Sequence, residues 1–398
     1  MAKYFMAADI LLPHNCDMNK WAVIACDQYT SDKAYWNRVR TNAQGVPSTL
    51  HMIIPEAELG TTGLQQIEEI NQNMQNYLDD GVFCEYKNAY IYVERTMKNG
   101  TIRQGIVGCV DLEAYEYDPA LHPMISATES TVLERIPPRV AVRENAPVEL
   151  PHVLLLCDDV SKTIIESVAK QKDQLKKLYD FDLMENGGHI AGWLLSDAVA
   201  KMFDNMLQVY EKDNVYLVGD GNHSLVTAKT CYEKLKRETA IAADHPARYA
   251  LVELENIHSP AMAFEPIHRI ITNVDTQKLL SDIQSVCSEN GAVVRWICGD
   301  QEGLLHLAVP DGELTVGVLQ DYLDRWLQDN PGTIDYIHDE DAVISFAREP
   351  ETVGFLLNGM GKNELIPFVQ TGRTLPRKTF SMGHGSEKRY YLEGRKIK

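Results

Sequence analysis

The chain has 398 residues, enough to bury a large core, and that length favours two or three domains. Apolar residues make up 44% and charged residues 24%, the balance of a globular protein, and no apolar run reaches the length of a membrane span. The net charge is −19, from 57 acids and 38 bases. That balance argues against a nucleic-acid binder, because basic side chains on phosphates supply most non-specific affinity.

The N-terminal stretch "MAKYFMAADILLPHN" has no basic region leading into a long apolar core and a cleavage site. It reads as the first strand of a cytoplasmic protein. In "IACDQYTS" the apolar run from Trp21 ends at Asp27, which either caps the next helix or binds a metal-bound phosphate. "STLHMIIP" (48–55) reads as a strand. Residues 61–80 read as a helix, with Leu64, Ile67, Ile70, Met74 and Leu78 on one stripe. Two β-rich runs then flank Asn99-Gly100, a strong hairpin signal.

In "ISATESTVLERIPPRVAVRENAP" (125–147) arginines recur at 135, 139 and 143. Pro137-Pro138 is expected to forbid a helix through them. An extended segment would put Arg139 and Arg143 on one face, two guanidiniums for one anion; pairing with Glu129, Glu134 and Glu144 is the alternative. Glu129, beside two hydroxyls, is a candidate general base. "PHVLLLCDD" reads as a buried strand, followed by helices near 161–178 and at 196–210. The strand "NVYLVGD", a helix near 225–238, the strand "ARYALVELEN" and a helix at 276–289 complete the pattern. Hairpins and strand–helix alternation together predict an α/β protein, with a mixed sheet flanked by helices. Lobes are expected at 1–146, at 147–274 and at 275–398.

The segment "NVYLVGDGNHSLVTAK" runs from an apolar strand through Gly219-Asp220-Gly221-Asn222-His223-Ser224 into a helical pattern. A strand, a glycine-rich turn and a helix start leave backbone N–H groups for an anion, reinforced by the helix dipole. A tight turn capped by Asn222 or Ser224 accounts for the same residues. Neither G-x-x-x-x-G-K-[ST] nor G-x-G-x-x-G is present.

His268-Arg269 opens another apolar run, as a weak anion-site candidate. From Arg373 to Lys398 eight bases face only Glu387 and Glu393, and the tail reads either as solvated or as docked through "LPRKTF", with Arg377 and Lys378 as anion contacts. The eight cysteines are spread without a C-x-x-C pair, as buried reduced thiols would be.

"ACDQYTS…YW", "ATESTVLERIPPRVAVRENAPVELPHVLLLCDD", "VGDGNHSLVTAK" and "LPRKTFSMG…EKRYYLEGR" together resemble the bacterial and archaeal family DUF1015. The turn also resembles, more loosely, the Asp-Gly-His-(Thr/His)-Arg loop of the ParB/sulfiredoxin-like superfamily, which includes free-serine kinases. That resemblance implies a ParB/sulfiredoxin-like core, Asp220 as a metal-linked or catalytic acid and His223 as a phosphate contact. Asn222 and Ser224 stand where that loop has His and Arg, so Arg139, Arg143, Arg269 or Lys378 would have to supply the charge.

The leading expectation is a Mg²⁺-dependent phosphotransferase, acting from ATP, ADP or pyrophosphate on a small, serine-like hydroxyl compound. Gly219, Gly221, Asn222 and Ser224 would cradle the anion, helped by Arg139, Arg143, His268, Arg269, Arg377 and Lys378. His223 and Arg269 would stabilise charge, Asp220 or Glu129 would take the proton, and Asp27 and Asp220 would hold the metal. A non-catalytic regulator that binds a small anion or nucleotide is the second reading. A ParB-like nucleic-acid module is the third.

Overall fold

Runs of consecutive buried residues build one large mixed sheet from ten strands. They are β1 (Phe5–Met6), β2 (Ile91–Thr96), β3 (Ile102–Asp111), β4 (Tyr115–Glu116) and β5 (Ile125–Ala127), then β6 (Leu154–Cys157), β7 (Lys176–Asp182), β8 (His189–Leu194), β9 (Tyr216–Asp220) and β10 (Tyr249–Asn256). The spatial order is β7-β8-β2-β3-β10-β6-β9-β5-β4, with β1 on β3. Pairs β6·β10, β5·β9 and β4·β5 are parallel and the others antiparallel, so the mixed α/β class expected from the sequence is the observed one. The β2–β3 hairpin turns at Asn99-Gly100, as its sequence requires. The computed structural model describes residues 3–25, 33–55, 58, 63–129, 131, 133–376, 378–383 and 387–398. Among them no helix is long and apolar enough to cross a membrane, and the seven cysteines are free.

The chain divides into two compact units, Met1–Met262 with His384–Lys398, and Ala263–Gly383. The boundary expected after 146 falls inside the first unit, and the one expected after 274 falls inside the second.

In the first unit the main helices are α1 (Lys33–Ala43), α2 (Leu64–Asp79), α3 (Ile136–Arg143), α4 (Asp197–Tyr210) and α5 (Asn222–Glu238). Ile106, Leu155, Val218 and Val252 pack with Phe203 and Leu207 of α4 and Leu225 of α5. The second core joins Val93, Val107 and Leu251 to Trp21, Trp36 of α1 and Met74 of α2. A sheet buried this way needs apolar residues at both odd and even positions, hence the unbroken runs "VLLLC" and "YLV".

The C-terminal segment is docked, not solvated. Tyr390–Tyr391 pairs with Val23–Ile24, and Arg395–Lys396 pairs with Val148–Glu149. Arg389 is buried, with Nε 2.7 Å from Glu253 and Nη2 2.7 Å from Glu393. Arg395 Nε lies 2.8 Å from Glu149. Arg389 and Arg395 therefore each have a carboxylate partner that offsets the cost of their desolvation.

The second unit is built on a five-stranded antiparallel sheet: β11 (His268–Thr272), β12 (Cys287–Cys298), β13 (Gln301–Leu307), β14 (Thr333–Ile337) and β15 (Val353–Leu356), in the order β13-β12-β15-β11-β14. Leu319 and Leu323 of α6 (Thr315–Asp329) pack on Ile271, Val294, Leu305 and Phe355.

Four local expectations are corrected. The stretch 48–55 holds a 3-10 helix, Thr49–Met52, because the Ser48 hydroxyl accepts from Leu50 N–H, and the Ser48 and Thr49 hydroxyls both donate to the Trp21 carbonyl. The segment 136–143 is the helix α3 and not extended. Pro137 and Pro138 sit in its first turn, where no intrahelical N–H is lost. The helix expected at 161–178 is one short turn, Ile165–Ala169, before β7 takes over with Tyr179 and Phe181 alternating inward. The helix expected at 276–289 stops at Asp282 and, after a 3-10 turn, becomes β12.

Candidate functional site

β9 ends at Asp220, and the chain turns into α5 through Gly221, at φ 79° and ψ 21°. That left-handed conformation favours glycine, and a Cβ there would lie 2.9 Å from Val153 Cα. The Gly221 carbonyl accepts from Ser224 N–H at 3.0 Å and Leu225 N–H at 3.1 Å, which starts the helix. No side chain caps this end, so the positive pole of a 17-residue helix meets the turn directly.

The expected cap residues point elsewhere. Asn222 accepts from the Tyr115 hydroxyl at 2.6 Å and donates to Thr131 Oγ1 at 3.1 Å and to the Glu129 carbonyl at 3.4 Å. Burial and the neighbouring Glu116 raise the Tyr115 phenol, so it stays protonated as the donor. Thr128 Oγ1 donates to the Val218 carbonyl at 2.8 Å. These bonds hold the backbone of the exposed Glu129 beside the turn. Ser224 Oγ lies 3.0 Å from His152 Nε2, and the His152 ring packs edge-on against Tyr391 at 5.3 Å. His223 is half-buried in the first turn of α5, and its carbonyl accepts from Thr227 Oγ1.

Asp220 accepts from Gly221 N–H at 2.8 Å through Oδ1, and Oδ2 is 2.9 Å from Lys388 Nζ. Burial alone would raise this carboxyl. The charge and hydrogen bond of Lys388, the His152 ring and the Gly221 N–H outweigh burial and hold it below the usual carboxylate range. Lys388 is itself placed by two buried arginines. Arg95 Nη1 donates to the carbonyls of Glu387 (3.0 Å) and Lys388 (2.6 Å), and Arg103 Nη1 donates to that of Glu387 (3.0 Å).

Arg139 and Arg143 lie on α3, which packs against α5. Arg143 Nη2 is 2.5 Å from the buried Glu149, and Arg139 Nη1 donates to the Arg135 carbonyl at 2.8 Å. Both line a cavity of about 150 Å³ that also reaches Ser224 and His152. The turn, Glu129, Arg139 and Arg143 are thus gathered in the first unit.

His268, Arg269 and Lys378 belong to the second unit. His268 Nδ1 accepts from Leu357 N–H, and the fully buried Arg269 donates to Gln320 and to the carbonyls of Ile267 and Lys378. Asp27 and Arg377 lie outside the described residues. Among the described residues no three His, Cys, Asp or Glu side chains group as a metal site. Both Asp220 oxygens are engaged, and Lys388 stands where a cation would sit.

Sequence reasoning missed Lys388 and His152. Lys388 was visible only as one base of the tail, and His152 only as the residue before a buried strand. Neither carries a spacing signal, because each meets the turn through contacts distant in sequence.

The sequence matches the family described as Protein of unknown function (DUF1015) over residues 12–396, and the chain belongs to that family. No curated protein matches it. Among solved structures, SbnI with C-terminal truncation from Staphylococcus aureus is similar at TM-score 0.39 and 11% identity, over 69% of this chain and 82% of that one. A conserved hypothetical protein from Pyrococcus furiosus is similar at 0.34 and 10%, over 71% and 90%. A free serine kinase in complex with AMP is similar at 0.39 and 9%, over 73% and 91%. Likeness at this level leaves the chemistry to be read from this chain's own residues.

Proposed function

We propose that the turn at 219–224 binds a phosphate-bearing small molecule, and that the protein transfers a phosphoryl group from it to the hydroxyl of a small acceptor. The Asp220–Lys388 pair at the uncapped start of α5 carries this reading. An ammonium beside the positive end of a helix is unfavourable unless anions balance both. Asp220 balances one positive charge, and a phosphate at the turn would balance the other.

In this reading Gly219, Gly221 and Ser224 cradle the phosphate, and Lys388 with His223 meets the charge that grows on the leaving oxygen. Glu129 takes the acceptor's proton as the acceptor oxygen bonds to phosphorus; the donor's bridging P–O bond breaks and its electron pair leaves on the donor oxygen. Asp220, held ionised below the usual range, is a poor base and serves to orient Lys388. The donor is a nucleotide or pyrophosphate. Because Lys388 occupies the place beside Asp220, Mg²⁺ would enter on the donor's phosphates as part of the substrate. The acceptor is serine-like.

The test incubates the protein with labelled ATP or pyrophosphate, Mg²⁺ and a panel of hydroxyl compounds that includes serine. A phosphorylated product, lost in Glu129→Gln at unchanged melting temperature, supports the reading. Donor binding without any product assigns a non-catalytic anion-binding role. Absence of donor binding rejects the site.

A further inference from the structure

The cavity of about 150 Å³ beside the turn shares Ser224 with the phosphate cradle, and the rest of its lining has no role above. Met52, Met74 and Tyr391 line it together with Arg139, His152 and Ser224. Met52 and Met74 are almost wholly buried, so they are fixed walls. This lining suits an aromatic guest more than an aliphatic one. Thioethers make favourable contacts with aromatic rings, guanidinium groups stack on their faces, and the Tyr391 and His152 rings, already packed edge-on, offer further π-surface. A volume of about 150 Å³ is that of an apolar cavity known to accept a single benzene-sized ring, although polar side chains, Glu149 among them, share the lining here. Ser224 belongs both to this lining and to the first turn of α5, so a guest here is a neighbour of the phosphate turn.

We infer that the cavity receives an aromatic ring joined to the phosphate held at the turn, and so makes the protein selective for ring-bearing phosphate esters over ring-free ones. The inference rests on the proposed phosphate site and adds the class of ligand. A nucleotide and a simple aryl phosphate share this chemistry.

The test measures affinities for inorganic pyrophosphate, glycerol phosphate, phenyl phosphate and AMP by calorimetry, with wild-type protein and with Val142→Phe, which fills the cavity from α3. Wild type is expected to bind the ring-bearing esters at least about tenfold more tightly than glycerol phosphate, from burial of the ring. Val142→Phe is expected to erase that difference and leave pyrophosphate affinity within about twofold, since α5 and Lys388 are untouched. Tighter binding of AMP than of phenyl phosphate identifies a nucleotide, and the reverse order identifies another aromatic ester. Equal affinities for ring-bearing and ring-free esters, or a preference that survives Val142→Phe, overturn the inference while the phosphate site stands. No binding of any of the four overturns both. Ala146→Leu, which fills the same cavity from the segment after α3, replaces Val142→Phe should the latter melt early without ligand.

Discussion

Lys388 Nζ lies 2.9 Å from Asp220 Oδ2, and so links the docked C-terminal segment to the strand–turn–helix junction near the middle of the chain. Asp220 offsets the Lys388 charge and leaves the start of α5 uncapped, the positive end that the proposed phosphate would balance. Lys388→Met should lower affinity for pyrophosphate at least about tenfold, because one charge-assisted hydrogen bond is lost and the Asp220 carboxylate then faces the incoming anion. Lys388→Arg should retain most of it. Calorimetric titration of the three proteins checks the order.

Gly221 is required by its backbone. Gly221→Ala places a Cβ in the left-handed region and against Val153 Cα, at a cost of about 1–2 kcal/mol for the conformation, with the contact adding to it. Asn222→Ala should cost about 1–2 kcal/mol by leaving the Tyr115 hydroxyl without its acceptor. Urea unfolding measures both. Asn222→Ala should also weaken transfer, since Glu129 loses its tether to the turn.

Arg389 neutralises Glu253 and Glu393 inside the first unit, and all three are buried. Arg389→Met leaves two carboxylates without their cation, and a loss of about 3–5 kcal/mol is expected in urea unfolding. A change below about 1 kcal/mol would show that this pair is hydrated in solution.

Glu255 on β10 is fully buried. Arg103 Nε is 3.0 Å away, yet among the described residues neither carboxylate oxygen has an aligned hydrogen bond. Burial pushes this carboxyl up to about 7, opposed by Arg103 and helped by Glu253. Between its ordinary 4.5 and about 7 the folded state therefore holds a proton that the unfolded state has released. The stability due to Glu255 is complete below 4.5 and is lost as pH rises to about 7. Glu255→Gln should remove that downward slope from the stability–pH curve, and an unchanged slope would place its titration elsewhere.

Much of the large sheet was legible from the sequence, because unbroken apolar runs and the Asn99-Gly100 turn are local signals. The buried strands at 154–157, 216–220 and 249–256 and the helices 197–210 and 222–238 were legible for the same reason. The failures have local causes too. Pro137-Pro138 reads as a helix breaker unless one knows that it falls in the first turn. At 287–298 a strand follows a helix with no glycine or proline at the change, so the helical period was carried too far. Of the candidate site, the strand–turn–helix junction at 219–224 was legible as such, and Glu129 only as an acid beside two hydroxyls. Lys388 and His152 were not, because Lys388 is placed by Arg95 and Arg103 on the carbonyls of residues 387 and 388, and His152 by the pairing of β6 with β9. The capping role expected of Asn222 gave way to a tertiary one, since its amide binds Tyr115 and the 129–131 segment and not its own helix.

The most direct test of the phosphate site is thermal melting of the purified protein with millimolar pyrophosphate or Mg-ATP, alongside Ser224→Ala and Asp220→Asn. A site at the turn predicts a rise of several degrees for wild type, reduced in Ser224→Ala and altered in Asp220→Asn, which removes the carboxylate paired with Lys388 beside the phosphate. An equal rise in all three proteins would place the phosphate elsewhere, and no rise in any of them would leave the turn as architecture alone.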